Sequence, residues 1–172
     1  MKKKNNIFLV GFMGSGKTTL GKALAAKIDF KFLDTDEQIV QLEKRTIEEI
    51  FENDGEGYFR TLEFKVLDVI INTKNNLVIS TGGGFPCFNE NMDKLLESGF
   101  VVYLSANSDT LYNRLKNDRK RPLLKFKSDL KLYIETTLKN REQIYRKAHL
   151  IIDSSELPFS INQKIFEAWK NF

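Results

Sequence analysis

The chain has one cysteine, one histidine and no long apolar run, and each shortage excludes something. With Cys87 alone it cannot close an internal disulfide, so it is no stapled secreted scaffold and suits a reducing compartment. A thiol nucleophile would want a histidine beside it, but His149 is far along the chain at the start of an apparent strand. Both are read as structural residues. No stretch approaches the ~20 apolar residues of a membrane-spanning helix. Met1-Lys-Lys-Lys and the apolar Ile7-Phe-Leu-Val10 imitate a signal peptide, but that run breaks at Gly11 and no Ala-x-Ala-type cleavage site follows. A cytoplasmic protein is therefore expected.

Excess charge is scarce too, and it is concentrated. The net charge is +4, yet Lys116, Arg119, Lys120, Arg121, Lys125 and Lys127 stand in one segment against a single acid, Asp118. That loop outweighs the whole excess, leaving the remainder slightly negative. Nucleic acid is not the expected partner, because no aromatic interleaving or recognition-helix pattern accompanies the loop. With 41% hydrophobic and 29% charged residues, 172 residues belong to a soluble globular domain rather than a disordered chain. Neither repeat nor linker divides it.

What is present is organised around Gly11-Phe-Met-Gly14-Ser15-Gly16-Lys17-Thr18, which fits the phosphate-cradling pattern G-x-x-x-x-G-K-[ST]. A β-branched run precedes it and the helical Thr19–Lys27 follows, the context such a loop requires. Glycines let backbone N–H groups turn inward on phosphates, and the helix N-terminus adds partial positive charge. Lys17 would reach the β- and γ-phosphates, and the Thr18 hydroxyl would join Mg²⁺. Gly14, Ser15, Gly16, Lys17, Thr18 and Thr19 are the candidate nucleotide-binding residues.

Strands and helices alternate onward. Strands are expected at Phe30–Leu33, Leu77–Ile79, Phe100–Leu104 and Leu150–Ile152. Helices are expected over Glu37–Leu42, from a Thr46/Glu49 capping box to Phe51, over Glu56–Ile71, from Asn89 to Gly99, over Asn107–Lys116 and over Asp129–Lys147. A last helix is expected from a Ser160/Gln163 capping box, with Phe166 and Trp169 inward. This is an α/β, doubly wound, three-layer α/β/α domain spanning 1–172, with a parallel sheet. Ligands in such sheets sit outside the carboxyl ends of the strands, where the phosphate loop, Asp34/Asp36 and Gly82-Gly83-Gly84 all fall.

Asn-Lys-x-Asp, which a GTPase needs to read guanine, is missing. The strand Leu77–Ser80 ends in Ser, where a motor ATPase would carry Asp-Glu, so the second Mg²⁺ ligand must come from elsewhere, and Asp34 is the nearest candidate. A small kinase needs an acid for the acceptor, an acceptor site and a mobile positive lid, and all three are visible. Of Asp34 and Asp36, one can bind Mg²⁺ through water while the other accepts the acceptor's proton; alternatively Asp36 caps the helix before Glu37. Arg60 and Arg141 suit a carboxylate, although an Arg60–Glu63 ion pair serves Arg60 equally well. The residues alone thus give a kinase for a small hydroxylated molecule. A gluconate or nucleotide kinase and a non-catalytic nucleotide-binding module stay as alternatives.

Gly11–Thr18, Leu33-Asp-Thr-Asp36, Phe59-Arg-Thr-Leu-Glu63, Ser80-Thr-Gly-Gly-Gly84, Arg121-Pro-Leu-Leu124 and Arg141-x-x-x-Tyr145 together resemble, in order, the shikimate kinases. The resemblance runs from Ile7 to about Asp153. It implies the nucleoside monophosphate kinase fold with a five-stranded parallel sheet, and transfer of the γ-phosphoryl group of MgATP to the 3-hydroxyl of shikimate. It also implies a monomer. Asp36 would hold the shikimate hydroxyls and act as base or orienter, Arg60 and Arg141 would clamp the carboxylate, and Gly82, Gly83 and Gly84 would approach the ring. Asp34 would join Thr18 on Mg²⁺, Glu63 would orient Arg60, Arg114 would pack on adenine, and Arg121 would reach the phosphates. Residues 35–64 would form the shikimate-binding segment and 116–128 the lid.

Overall fold

The computed structural model describes residues 5–73, 76–117 and 129–172. Five strands, β1 (Ile7–Val10), β2 (Lys31–Asp34), β3 (Leu77–Ser80), β4 (Phe100–Ser105) and β5 (Leu150–Asp153), form one parallel sheet in the order β2-β3-β1-β4-β5. Each parallel neighbour requires a crossover, and helices supply it: α1 (Lys17–Ile28), α2 (Thr35–Glu43), α3 (Ile47–Thr73), α4 (Asn91–Ser98), α5 (Ser108–Leu115), α6 (Leu130–Tyr145) and α7 (Pro158–Lys170). Strand order reverses on either side of β1, so the crevice beyond its carboxyl end is where a ligand is expected.

The near-continuous apolar runs of β1, β3 and β4 follow from burial on both faces, while the edge strands β2 and β5 are partly exposed. On one face Ile7, Leu9, Val78, Val102 and Leu104 pack with Leu20 and Leu24 of α1 and Ile161 and Ile165 of α7. On the other, Phe8, Val10, Ile79, Val101 and Tyr103 pack with Leu62, Val66 and Ile70 of α3, Leu95 of α4 and Tyr145 of α6. The three-layer α/β/α arrangement thus rests on side chains alternating along each strand. Among the described residues no helix is long and apolar enough to cross a membrane.

Local signals place most helix ends. The Thr46/Glu49 capping box forms, with Glu49 N–H donating to Thr46 Oγ1 at 3.2 Å and Thr46 N–H to Glu49 Oε2 at 2.7 Å. The two helices expected around Asn53-Asp54-Gly55 are the arms of α3, which bends at Gly55 (φ 78°). Two expectations need correction. Helix α7 starts at Pro158, not Ser160, because proline's fixed φ and missing N–H suit a first turn. Ser160 instead donates to Glu156, and Ile161 and Ile165 are the buried positions, while Phe166 lies partly exposed under Lys27 and Lys170. Helix α4 starts at Asn91 rather than Asn89, since Asn89 and Glu90 both take positive φ.

Two helical glycines make opposite predictions. A Cβ on Gly21 of α1 would lie 2.7 Å from the Phe32 ring and 3.0 Å from a Leu9 methyl, whereas one on Gly57 of α3 meets nothing within 4 Å. Gly21→Ala is expected to cost about 1–3 kcal/mol despite its better helix propensity. Gly57→Ala is expected to gain up to about 1 kcal/mol. Urea unfolding of both variants checks the pair, and a gain at Gly21 would show that the helix can lift off the sheet at no cost.

Candidate active site

The loop between β1 and α1 turns back on itself because Gly14 (φ 80°) and Gly16 (φ 94°) take left-handed backbone angles closed to most side chains. Met13, Gly14, Gly16, Lys17, Thr18 and Thr19 line one wall of a cleft of about 520 Å³, and Asp34, Asp36, Thr81, Gly82, Gly83 and Arg114 line the others. A larger groove, about 660 Å³, lies between α2 and α3, lined by residues such as Leu42, Phe64, Val66 and Val69. It contains none of the residues expected to act, so the smaller, polar cleft is the candidate site. Lys17 Nζ is buried in the loop and donates to the carbonyls of Gly11 (2.8 Å) and Phe12 (2.9 Å). Ser15 is buried beneath the same turn.

Asp34, not Asp36, caps α2: its Oδ1 accepts from the Asp36 N–H at 3.0 Å. The other oxygen, Oδ2, accepts from the Thr18 hydroxyl at 2.9 Å, and Ser80 Oγ lies 3.3 Å from that hydroxyl. The capping role considered for Asp36 is therefore filled two residues earlier, because β2 ends at Asp34 and the helix begins at once. Asp36 is left on the first turn of α2, facing the glycines. A Cβ on Gly82 would come within 2.7 Å of Asp36 Oδ1 and 3.4 Å of Glu63 Oε1, so only bare backbone fits there. Thr35 makes the fit specific, its buried hydroxyl accepting from the Gly82 N–H at 3.0 Å. Tyr145 does the same from α6, donating to the Gly83 carbonyl.

Arg60 and Glu63 are paired as expected, with Nη1 2.8 Å from Oε2. Their face is not solvated, however: the Glu63 side chain is 1% exposed and that of Arg60 12%. The Glu63 carboxyl is raised to about 7, chiefly by burial with a smaller push from Asp36, against the pull of Arg60 and Arg141. Arg60 also reaches Glu56, which is 58% exposed, through Nη2 at 2.7 Å and Nε at 3.2 Å. The Gly84 backbone passes under this guanidinium so closely that a Cβ would sit 3.0 Å from both Nη atoms. Arg141 lies with its guanidinium 6.0 Å from the Phe12 ring centroid. The structure thus brings Lys17, Thr18, Asp34, Asp36 and Gly82–Gly84 into one place, with Arg60 at its edge.

Arg114 does something the sequence did not signal. It spans from the phosphate loop to the segment after β5, donating to the Gly14 carbonyl (3.1 Å), Ser154 Oγ (3.1 Å) and the Ser154 carbonyl (3.0 Å). Thr35, Ser80 and Ser154 were missed as well; short hydroxyl residues carry no periodic signal. Arg121, with Arg119, Lys120 and residues 118–128 of the expected lid, lies outside the described residues. Cys87 and His149 have structural surroundings: burial pushes the thiol up, and His149 Nδ1 accepts from the Val101 N–H at 3.0 Å.

Comparison with known proteins agrees with this geometry. The family model for shikimate kinase matches residues 13–170. A shikimate kinase from Persephonella marina is 42% identical over 161 residues, which is 93% of this chain and 96% of its own length. The crystal structure of shikimate kinase from Bacteroides thetaiotaomicron superposes with a TM-score of 0.90 at 38% identity, covering 96% of this chain and 98% of that one. Shikimate kinase from Acinetobacter baumannii, in complex with shikimate, gives 0.89 at 38% identity over 95% of this chain and 91% of that one. From its phosphate loop to its last helix, the chain belongs to the shikimate kinase family.

Proposed function

We propose that this protein transfers the γ-phosphoryl group of ATP to the 3-hydroxyl of shikimate, giving shikimate 3-phosphate and ADP. The observation that carries this reading is the run Gly82–Gly84, bare backbone with Asp36 pressed on one end and Arg60 on the other. A polyhydroxy acid lying along it would meet a carboxylate at its hydroxyls and a guanidinium at its carboxylate. A nucleotide acceptor would ask for a base pocket instead. On the same reading 1–172 act as one domain, with residues 35–64 as the acceptor-binding segment.

The hydroxyl oxygen of the acceptor bonds to the γ-phosphorus as the bond to the β–γ bridging oxygen breaks, and the hydroxyl proton passes to Asp36. Lys17 and the loop N–H groups hold the β- and γ-oxygens as charge builds there. The Thr18 hydroxyl has Asp34 Oδ2 and Ser80 Oγ within hydrogen-bonding reach, a set of hard oxygen donors that fits Mg²⁺. That ion, when bound, would offset the charge of the β- and γ-phosphates. Arg60 and Arg141 clamp the acceptor carboxylate, with Glu63 holding Arg60 from below. The Glu56 pair is the exposed one, so it yields to the acceptor at little cost. Arg114, tied to Gly14 and Ser154, borders the place where adenine would lie.

A coupled ADP-release assay with shikimate, gluconate, quinate and nucleoside monophosphates in parallel tests the reading. Turnover is expected with shikimate, and its absence would end the proposal. Lys17→Met and Asp36→Asn should each lower kcat at least ~10²-fold, with ATP binding by Asp36→Asn intact. Arg60→Ala should raise the KM for shikimate well above any change for ATP, and equal effects on both would count against the carboxylate clamp. The raised pKa of Glu63 gives a pH test of the same pair. Its protonated form is favoured in the fold, so the contribution is full below the ordinary 4.5 and lost as pH rises through about 7, by roughly 3 kcal/mol at most. Thermal unfolding of Glu63→Gln should lack that decline. Parallel profiles for variant and parent would mean that Arg60 keeps Glu63 ionised throughout.

A further inference from the structure

We propose that Phe88 is a positioning residue of the acceptor site, its ring face fixing the tilt at which Arg60 presents its N–H groups to the acceptor's carboxylate. This rests on the functional reading above. The Arg60 Cζ lies 3.8 Å from the Phe88 ring centroid, with Phe59 more distant at 5.5 Å. The two carboxylates that bind Arg60, Glu63 and Glu56, reach its edges through N–H groups and so set its rotation within the guanidinium plane. Neither opposes tilting out of that plane. A ring stacked on the face does, and it takes up no N–H donor.

The charge arithmetic favours a ring at this position. Arg60 already sets one positive charge against two carboxylates, and a third on its face would add to the repulsion of the anion it is meant to hold. An aromatic face attracts the cation electrostatically and adds no formal charge. When the exposed Glu56 yields to the acceptor, Glu63 at one edge and Phe88 on the face are what keep Arg60 in place.

Phe88 is itself held firmly. It follows the short 3₁₀ turn Phe85–Cys87 and has extended backbone angles. Asn91, fully buried at the start of α4, donates from Nδ2 to the Phe85 carbonyl at 2.9 Å and from its N–H to the Phe88 carbonyl at 2.9 Å. Cys87 N–H donates to the Gly84 carbonyl at 2.9 Å. The glycine run under Arg60 and the ring over it therefore belong to one pinned stretch of chain.

The test is steady-state kinetics of Phe88→Leu and Phe88→Tyr, varying shikimate and ATP separately, with thermal melting alongside. Leucine keeps the apolar bulk and loses the ring face. Phe88→Leu is expected to raise the KM for shikimate ~3–30-fold, the range of a partly desolvated cation–π contact, with the KM for ATP and kcat within about twofold. Phe88→Tyr should restore the parent value. A parental shikimate KM in Phe88→Leu, a parallel rise for ATP, or equal impairment of both variants would overturn the proposal. Should Phe88→Leu fail to fold, fluorinated phenylalanines at position 88 keep the shape while draining the ring face. Shikimate KM should climb with each fluorine, and a flat series would reject the idea. Absence of shikimate turnover in the parent would defeat the functional reading instead. The stacking is then read from Arg60 Nε–H exchange by NMR, expected to quicken severalfold in Phe88→Leu; an unchanged rate overturns it.

Discussion

One carboxylate decides how the two halves of the cleft face each other. Asp34 accepts from the Thr18 hydroxyl through one oxygen and from the Asp36 N–H through the other. The first bond reaches the turn of α1 that carries the phosphate loop, and the second reaches the turn of α2 that carries Asp36. Pairing of Asp34 with Ser80 across β2 and β3 sets the height of this link at the sheet edge. Phosphoryl transfer depends mostly on holding donor and acceptor in line, so a side chain that ties both supports to one point has leverage far beyond its two hydrogen bonds.

The elements that local chemistry controls were legible in the sequence. The phosphate loop needs only its own glycines and the strand and helix beside it, and the Thr46/Glu49 box closes within one turn. The inner strands β1, β3 and β4 are legible as apolar runs because the middle of a parallel sheet is covered on both sides, and the edge strand β2 is legible from its alternation. What escaped depends on pairing across the fold. That Asp34 rather than Asp36 caps α2 follows from where β2 ends, and that Glu63 is buried follows from α3 lying against β3 and the glycines. Phe88 falls outside every motif and meets Arg60 only because the 3₁₀ turn brings it there. Ser160 shows the converse error: its capping pattern was present, but Pro158 started the helix first.

Glu63 carries the largest electrostatic tension among the described acceptor-side groups. A carboxylate this deeply buried loses several kcal/mol of hydration, and Arg60 returns only part of it, which is why its pKa stays raised beside a guanidinium 2.8 Å away. What the pair supplies is direction. Glu63 cannot follow solvent, so Arg60 cannot either, and a rigid cation loses less freedom on meeting an anion than an exposed one. The bare backbone of Gly82–Gly84 completes the arrangement by keeping side chains out of the space between Asp36 and Arg60.

Fold and acceptor choice are separable in this molecule, as they are in any architecture that hosts many reactions. On the proposed reading, β1, α1 and the loop between them grip phosphates and would do so for any acceptor. On the same reading the acceptor is selected by α2, α3 and the stretch from Gly82 to Phe88, which meets the phosphate loop where Gly83 lies against Met13 and Phe12. Net charge does not make this distinction. The chain outside the 116–127 segment is slightly negative overall, so its general field draws no anion in. On the proposed reading, attraction for two anionic substrates is therefore local: it comes from the basic 116–127 segment, from inward N–H groups and the N-terminus of α1 at one end, and from a guanidinium held at a fixed tilt at the other. Such short-range donors act on a substrate already in the cleft, and that makes them instruments of orientation before they are instruments of capture.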